Sequence, residues 1–375
     1  MAEPRIVVFG ATGYTGRLVA ERLVDLGSRP VLAGRSQARL DELAERLGGL
    51  ETVRADVLRQ NSVFAMVEEG DVLVSTVGPF VKWGEPAVRA AISAGATYLD
   101  STGEPRFVRR VFEEFGPPAG RAGAPLLTAM GYDYVPGALA GGLALEEGGP
   151  GAVRVDVGYY AFGQGAASLS GGTRESLVGA ALERNFAYRG GELREERAAA
   201  RRRSFRVKGR DRPGVSIGGA EHFSLPRAYP RVREVNVYFG LPAGLGPLPR
   251  ALQAGTLAGS FATRVPGVGG VLRGAGERGV RMIGSPEPGT TSGGLSWVVA
   301  AAYDAEGSPL SEVHLSGDDA YAFTAGFLAW AARRAASAGV EGAGALGPVD
   351  AFGLDALERG CQEAGLERVR VPVAP

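Results

Sequence analysis

The sequence predicts an α/β protein in which an N-terminal doubly wound parallel sheet is joined to a second α/β domain with a mixed or antiparallel sheet. Three observations carry this expectation. The 375 residues exceed what one hydrophobic core usually organises. Residues 5–128 alternate short β-branched runs with helical patterns, the rhythm of successive βαβ units. Beyond residue 150 the strands lengthen and carry polar interruptions, as in a sheet with one solvated face.

Taken in order, the predicted strands of the first domain lie at 6–9, 30–33, 52–55, 71–75, 97–100 and 125–128. Helical periodicity fills 17–26, 38–47 and the stretches between the later strands. Runs such as Ile6-Val7-Val8-Phe9 are apolar without alternation, which fits strands covered by helices on both faces. These limits put the first domain at 1–130 and the second at 131–345. In the second, 153–162, 231–239, 295–303 and 312–315 read as strands, with flanking helices at 173–188 and 319–338. A last helix at 354–364, within the segment 346–375, is expected to return to the first domain. The arginine-dense stretch 192–214 reads as a solvated loop or edge. Residues 240–276 are rich in Gly, Pro and apolar side chains and poor in charge. That is unusual for a surface loop and predicts a lipid-like ligand or peripheral membrane contact.

Lys plus Arg and Asp plus Glu both number 41, so bulk charge offers neither a nucleic-acid surface nor a polybasic membrane patch. A small-molecule partner is expected. The single cysteine, Cys361, stands far from both His222 and His314, which leaves no disulfide framework and no metal site. The opening residues lack the basic and apolar blocks of a signal peptide. No run of about 18 apolar residues would span a bilayer, and a cytoplasmic protein is expected.

Gly10-Ala11-Thr12-Gly13-Tyr14-Thr15-Gly16 follows the first strand directly and opens the first helix. Glycine at 10 permits a tight turn, at 13 lets the backbone approach a pyrophosphate at the helix N-terminus, and at 16 allows the helix to pack on the sheet. Thr12 and Thr15 add hydroxyl donors. With the strand before it and the helix after it, the triplet predicts a Rossmann dinucleotide site. The end of the second strand chooses the cofactor. An Asp or Glu there would accept from a ribose 2′-hydroxyl and repel a 2′-phosphate; this chain has Arg35-Ser36 instead, 19 residues after Gly16. Arg35 can offer its fork to the phosphate and Ser36 a hydroxyl, with Arg39 one helical turn on. NADP(H) is therefore predicted. Asp56-Val57 closes the third strand, where the adenine edge is expected. Thr76-Val77-Gly78-Pro79-Phe80 closes the fourth, where the nicotinamide ribose and ring are expected.

These stretches resemble the saccharopine dehydrogenase-like oxidoreductases, most closely the bacterial branch described as trans-acting enoyl reductases. The resemblance rests on Phe9 to Gly16, Ala33-Gly34-Arg35-Ser36, Gly78-Pro79-Phe80 with Gly84-Glu85-Pro86, Tyr98 to Glu104 and Gly131 to Gly137. It extends through Ser170 to Thr173, Asp318 to Ala325 and Gly347 to Gly353. It implies a Rossmann domain, a second α/β domain with substrate contacts and a homodimer interface, NADP(H), and hydride transfer. Within such a family the substrate ranges from imines of amino-acid metabolism to double bonds of polyketides and lipids. The apolar 240–276 stretch fits an acyl or lipid-like substrate. An imine reductase of saccharopine type and a non-catalytic NADP(H)-binding sensor are the rival readings.

Hydride transfer to such an acceptor needs a proton donor. A Tyr-x-x-x-Lys pair is excluded, because Gly78 and Ser204 stand four before Lys82 and Lys208, the two lysines of the chain. The remaining candidates lie in loops after strands: Tyr132 and Asp133 after the sixth, Glu104 after the fifth. Each has a structural alternative: Asp133 as a turn or capping carboxylate, Glu104 as a cap before Pro105, Tyr132 as a wall of the site.

Overall fold

The computed structural model describes residues 4–162, 184–197, 199–240 and 294–370. The chain divides into two compact units, Met1–Val135 with Ala320–Gly365, and Pro136–Asp319 with Leu366–Pro375.

The first unit is built on strands β1 (Ile6–Phe9), β2 (Val31–Gly34), β3 (Thr52–Arg54), β4 (Val72–Ser75), β5 (Thr97–Asp100) and β6 (Pro125–Leu127). They run parallel in the order β3-β2-β1-β4-β5-β6, and a two-residue strand, Gly344–Ala345, extends the β6 edge. β1, β2 and β4 are buried along their whole length, as expected where helices cover both faces. Helix Tyr14–Asp25 buries Gly16, Val19, Ala20 and Leu23, the i, i+3, i+4, i+7 stripe of a helix lying on a sheet. In register, Phe9 stands beside Ala33 and Ser75, and Ser75 beside Asp100. The residues that follow these strands therefore leave the sheet along one carboxyl edge.

Helix Ala320–Ala338, which the sequence reading places with the second domain, groups with the first unit. Its Trp330 meets Phe352 edge to face at 5.1 Å. Helix Leu354–Glu363 also lies in this unit, whereas the last strand, Leu366–Val369, pairs in the other sheet.

The second unit contains a mixed sheet of β7 (Arg154–Phe162), β8 (Arg184–Arg189), β9 (Glu192–Arg197), β10 (Arg202–Val207), β11 (Arg210–Ile217), β12 (Glu234–Gly240), β13 (Leu295–Tyr303) and β14 (Pro309–Gly317), completed by Leu366–Val369. β7 is central, parallel to β12 and antiparallel to β13. The expectation of one solvated face fails for β7 and β13, whose interiors are buried on both faces. On one face Phe205 and Val207 pack with Tyr160, Tyr238, Trp297 and Val299. On the other, Tyr159 bonds Gly137 in helix Val135–Glu147 and Glu221 in helix Glu221–Ala228.

Two further expectations are corrected. The helix read over 173–188 ends in a strand: Arg184–Arg189 pairs with β9, and 173–183 lies outside the described residues. The charged stretch 192–214 is strand for most of its length rather than loop, while the alternative of an edge holds, since β9 and β10 lie at the edges of the sheet. In β10, Phe205 and Val207 point inward while Arg202, Ser204 and Arg206 face out, the period-two pattern of a half-buried strand. Ser170–Thr173 and 241–276 also fall outside the described residues. Among the described residues no helix is long and apolar enough to cross a membrane.

Candidate cofactor site

The glycine turn leaves β1 where the backbone N–H groups of Gly10 and Ala11 both donate to the Ala33 carbonyl, at 2.9 and 3.2 Å. Gly10 has φ +91°, a conformation a side chain would disfavour. Gly16 is needed for a different reason: a Cβ there would stand 2.2 Å from the Gly10 carbonyl oxygen and 2.6 Å from Thr76 Oγ1. The helix N-terminus at Gly13 has no side-chain cap and no acidic residue in its first turn, so its N–H groups and the positive end of its dipole are left for an anion. Thr76 Oγ1 donates toward the carbonyls of Phe9 and Gly10, at 3.2 and 3.3 Å, tying the loop after β4 to the glycine turn.

Arg35 is exposed at the end of β2, with Ser36 half-buried beside it. Among the described residues Arg35 makes no ion pair, while Arg39 reaches back to donate to the Thr12 carbonyl at 3.2 Å. The two cations and the glycine turn thus share one end of the sheet. Asp56 accepts from the Leu58 N–H through Oδ1 at 3.0 Å, closing a small turn after β3, and Val57 packs on the core. Val77 also packs on the core, and Phe80 is buried. Gly78 and Pro79 are joined by a cis peptide.

The loops after β4, β5 and β6 are fastened to one another by buried carboxylates. Glu104 accepts from the N–H of Phe80 at 2.7 Å and of Val81 at 2.9 Å, one through each oxygen. Asp100 accepts from the N–H of Thr102 and Ala129, both at 2.9 Å, and from the Thr128 hydroxyl at 2.7 Å. Burial outweighs these donors and pushes Asp100 up to about 6. Burial, with Asp100 alongside, also holds the Tyr98 hydroxyl well above the usual tyrosine range. Ala129 sits at φ +62°, a strained backbone for a residue with a Cβ, and the Asp100 bond helps to hold it. Tyr134 donates to the Gly103 carbonyl at 3.1 Å.

The three sequence candidates for proton transfer meet different fates in this frame. Glu104 serves as the anchor just described, a bond the sequence could not show because its partners lie 23 and 24 residues upstream. Tyr132 lays its ring edge to face on Phe323 at 5.8 Å, and its hydroxyl is buried. Asp133 is exposed and stands so close to Gly103 that a Cβ there would meet its Oδ2 at 2.4 Å. Solvent reaches this side chain, yet the protein crowded around its carboxyl pushes it up to about 6.

A family profile described as "Saccharopine dehydrogenase NADP binding domain" matches residues 6–123. Over these residues the first domain is similar to that family. It therefore binds NADP(H), and the geometry fits the group: an uncapped helix N-terminus behind a turn with no room for a side chain at Gly10 or Gly16, and an arginine, unpaired among the described residues, where NAD-selective sites carry an acid. A putative trans-acting enoyl reductase of Mycobacterium tuberculosis is 40% identical over 148 residues, covering 37% of this chain and 35% of that protein. A trans-acting enoyl reductase of Mycobacterium ulcerans is 36% identical over 140 residues, 36% of this chain and 34% of that one. The chain thus matches about a third of the length of these relatives. The apo saccharopine dehydrogenase (L-Glu forming) of Saccharomyces cerevisiae superposes with a TM-score of 0.58 at 13% identity, over 98% of this chain and 100% of that one. At that identity it shares the fold.

Proposed function

We propose that the protein is an NADPH-dependent oxidoreductase that reduces a carbon–carbon double bond of an acyl, polyketide or lipid-like substrate. The substrate class follows the names of the enoyl reductase relatives. The observation that carries the reductive chemistry is the placement of Asp133, a residue of the loop after β6 whose carboxyl lies against Gly103 in the loop after β5 and is pushed up to about 6 by burial. NADPH supplies the hydride when bound, so saturating the double bond requires one further proton. Asp133 holds that proton: its protonated carboxyl donates to the carbon left anionic, becomes a carboxylate, and recovers a proton from solvent. Glu104 and Asp100 act as positioning residues that fix the loops on which this donor and the nicotinamide rest. Arg35, Ser36 and Arg39 hold the 2′-phosphate, the uncapped turn at Gly13 takes the diphosphate, Asp56 and Val57 border the adenine, and Thr76 to Phe80 face the nicotinamide ribose.

The test is NADPH oxidation by the intact chain with enoyl thioesters, against keto acids supplied with amines. Turnover of the enoyl thioesters is expected. Turnover confined to the keto acid and amine pairs would replace this reading with an imine reductase. NADPH binding without turnover of either class would replace it with a sensor.

A further inference from the structure

Resting on the reading of the first domain as an NADPH site, we infer that the first turn of helix Ala320–Ala338 forms the wall of the crevice beside the nicotinamide half of the cofactor, and that Tyr321 positions that half. This turn lies some 300 residues from the glycine loop in sequence, yet Tyr14 of that loop and Tyr321 meet edge to face, with ring centres 5.1 Å apart and planes at 84°. Both rings are half-buried, so the pair stands at a rim rather than in the core. The same turn grips the loop after β6. Phe323 meets Tyr132 at 5.8 Å and 87°. Thr324 Oγ1 accepts from the Tyr132 N–H at 3.0 Å and donates to the Ala320 carbonyl at 2.8 Å.

Topology turns these contacts into a location. The sheet order is β1-β4-β5-β6, so an element that touches the loops after both β1 and β6 flanks the carboxyl ends of β4 and β5. The step from β1 to β4 is where the strand order reverses, the crevice in which doubly wound sheets hold their ligands. A dinucleotide with its 2′-phosphate at Arg35 and its diphosphate on the glycine turn brings its nicotinamide ribose past Tyr14, and so beside Tyr321. The ring of Tyr321, braced by Tyr14, offers that half a rigid aromatic surface.

The experiment compares dissociation constants of NADPH and of adenosine 2′,5′-bisphosphate, which has the 2′-phosphate and adenosine but lacks the nicotinamide half. Tyr321→Ala is expected to weaken NADPH about fivefold and to leave the bisphosphate unchanged. Tyr321→Phe is expected to bind both as the parent does, because the ring and not the hydroxyl makes the contact. Equal losses for both ligands, or no loss of NADPH affinity, would overturn the role of Tyr321. Should the alanine variant fail to fold, Tyr321→Leu is judged by the same pair of constants. Failure of the parent protein to bind either ligand would instead overturn the NADPH reading on which the inference rests.

Discussion

Two sets of buried acids, one in each unit, are neutralised in opposite ways. In the first unit Asp100 and Glu104 are satisfied largely by backbone N–H groups, with the Thr128 hydroxyl added. In the second, Asp156 is fully buried and pairs with Arg154 at 2.6 Å and with Arg203, while Asn236 donates to it at 2.5 Å. Arg201 extends the set, bonding both oxygens of Glu196 and the side chain of Asn236. A guanidinium consumed by an internal carboxylate cannot meet an external anion. An acid held by amides fixes loops without consuming a cation. Around Asp156 charge is thus spent on strand pairing, as it is between Arg5 and Asp71 in the first unit, whereas Arg35 makes no ion pair among the described residues. Both histidines lie in the second unit: His314 receives the Trp297 N–H at 2.9 Å and meets Glu312 at 2.8 Å, and burial pushes His222 down to about 4.

If the first unit carries the chemistry, the largest effect falls on its exposed acid. Asp133→Asn is expected to lower NADPH-dependent turnover about a hundredfold or more, the usual worth of a positioned proton donor. The sign with pH follows from its role. The donor must be protonated, so turnover of the parent protein falls as pH rises through about 6, and the variant loses that limb. A pH profile unchanged in Asp133→Asn would assign the proton elsewhere.

The converse holds for the second unit. Asp156→Ala leaves two guanidinium groups without their shared acid and is expected to cost about 3 kcal/mol of stability in denaturant unfolding. Its NADPH dissociation constant should stay within about twofold of the parent's, as befits an ion network that holds strands together. A large loss of cofactor affinity with little loss of stability would erase the contrast. A smaller effect is expected from Arg35→Asp, which should weaken NADPH about tenfold while leaving NADH nearly unchanged. Equal losses for the two would mean that Arg35 does not meet the 2′-phosphate.

The parallel domain was legible because its signals are local: apolar runs, a glycine turn at 10–16 and a cation where an acid would select NAD. The second sheet was harder to read because arginines hide its period. The hairpins were nonetheless announced by their turns, Gly190-Gly191 at φ +63° and +84° and Lys208-Gly209 at +53° and +72°, both two-residue connections of the left-handed kind that hairpins prefer. Reading those dipeptides would have found β8 to β11. The placement of helix Ala320–Ala338 and the partners of Glu104 were not legible at all. They depend on contacts between residues far apart in sequence, which no spacing rule reports.

Glu104 gives the finest test, because it separates an anchored carboxylate from an exposed one within the same unit. Its two oxygens serve two amides, Phe80 and Val81. Glu104→Gln keeps the shape but offers one carbonyl oxygen, so one buried N–H would face an amide NH2. The expected cost is about 1–2 kcal/mol in unfolding experiments, with a modest rise in the NADPH Michaelis constant as the Thr76–Phe80 loop loosens. The pH limb near 6 should survive if the proton that reaches substrate belongs to Asp133 and the charge on Glu104 serves only to hold the loop. Loss of that limb in Glu104→Gln, with stability unchanged, would exchange the roles of the two acids.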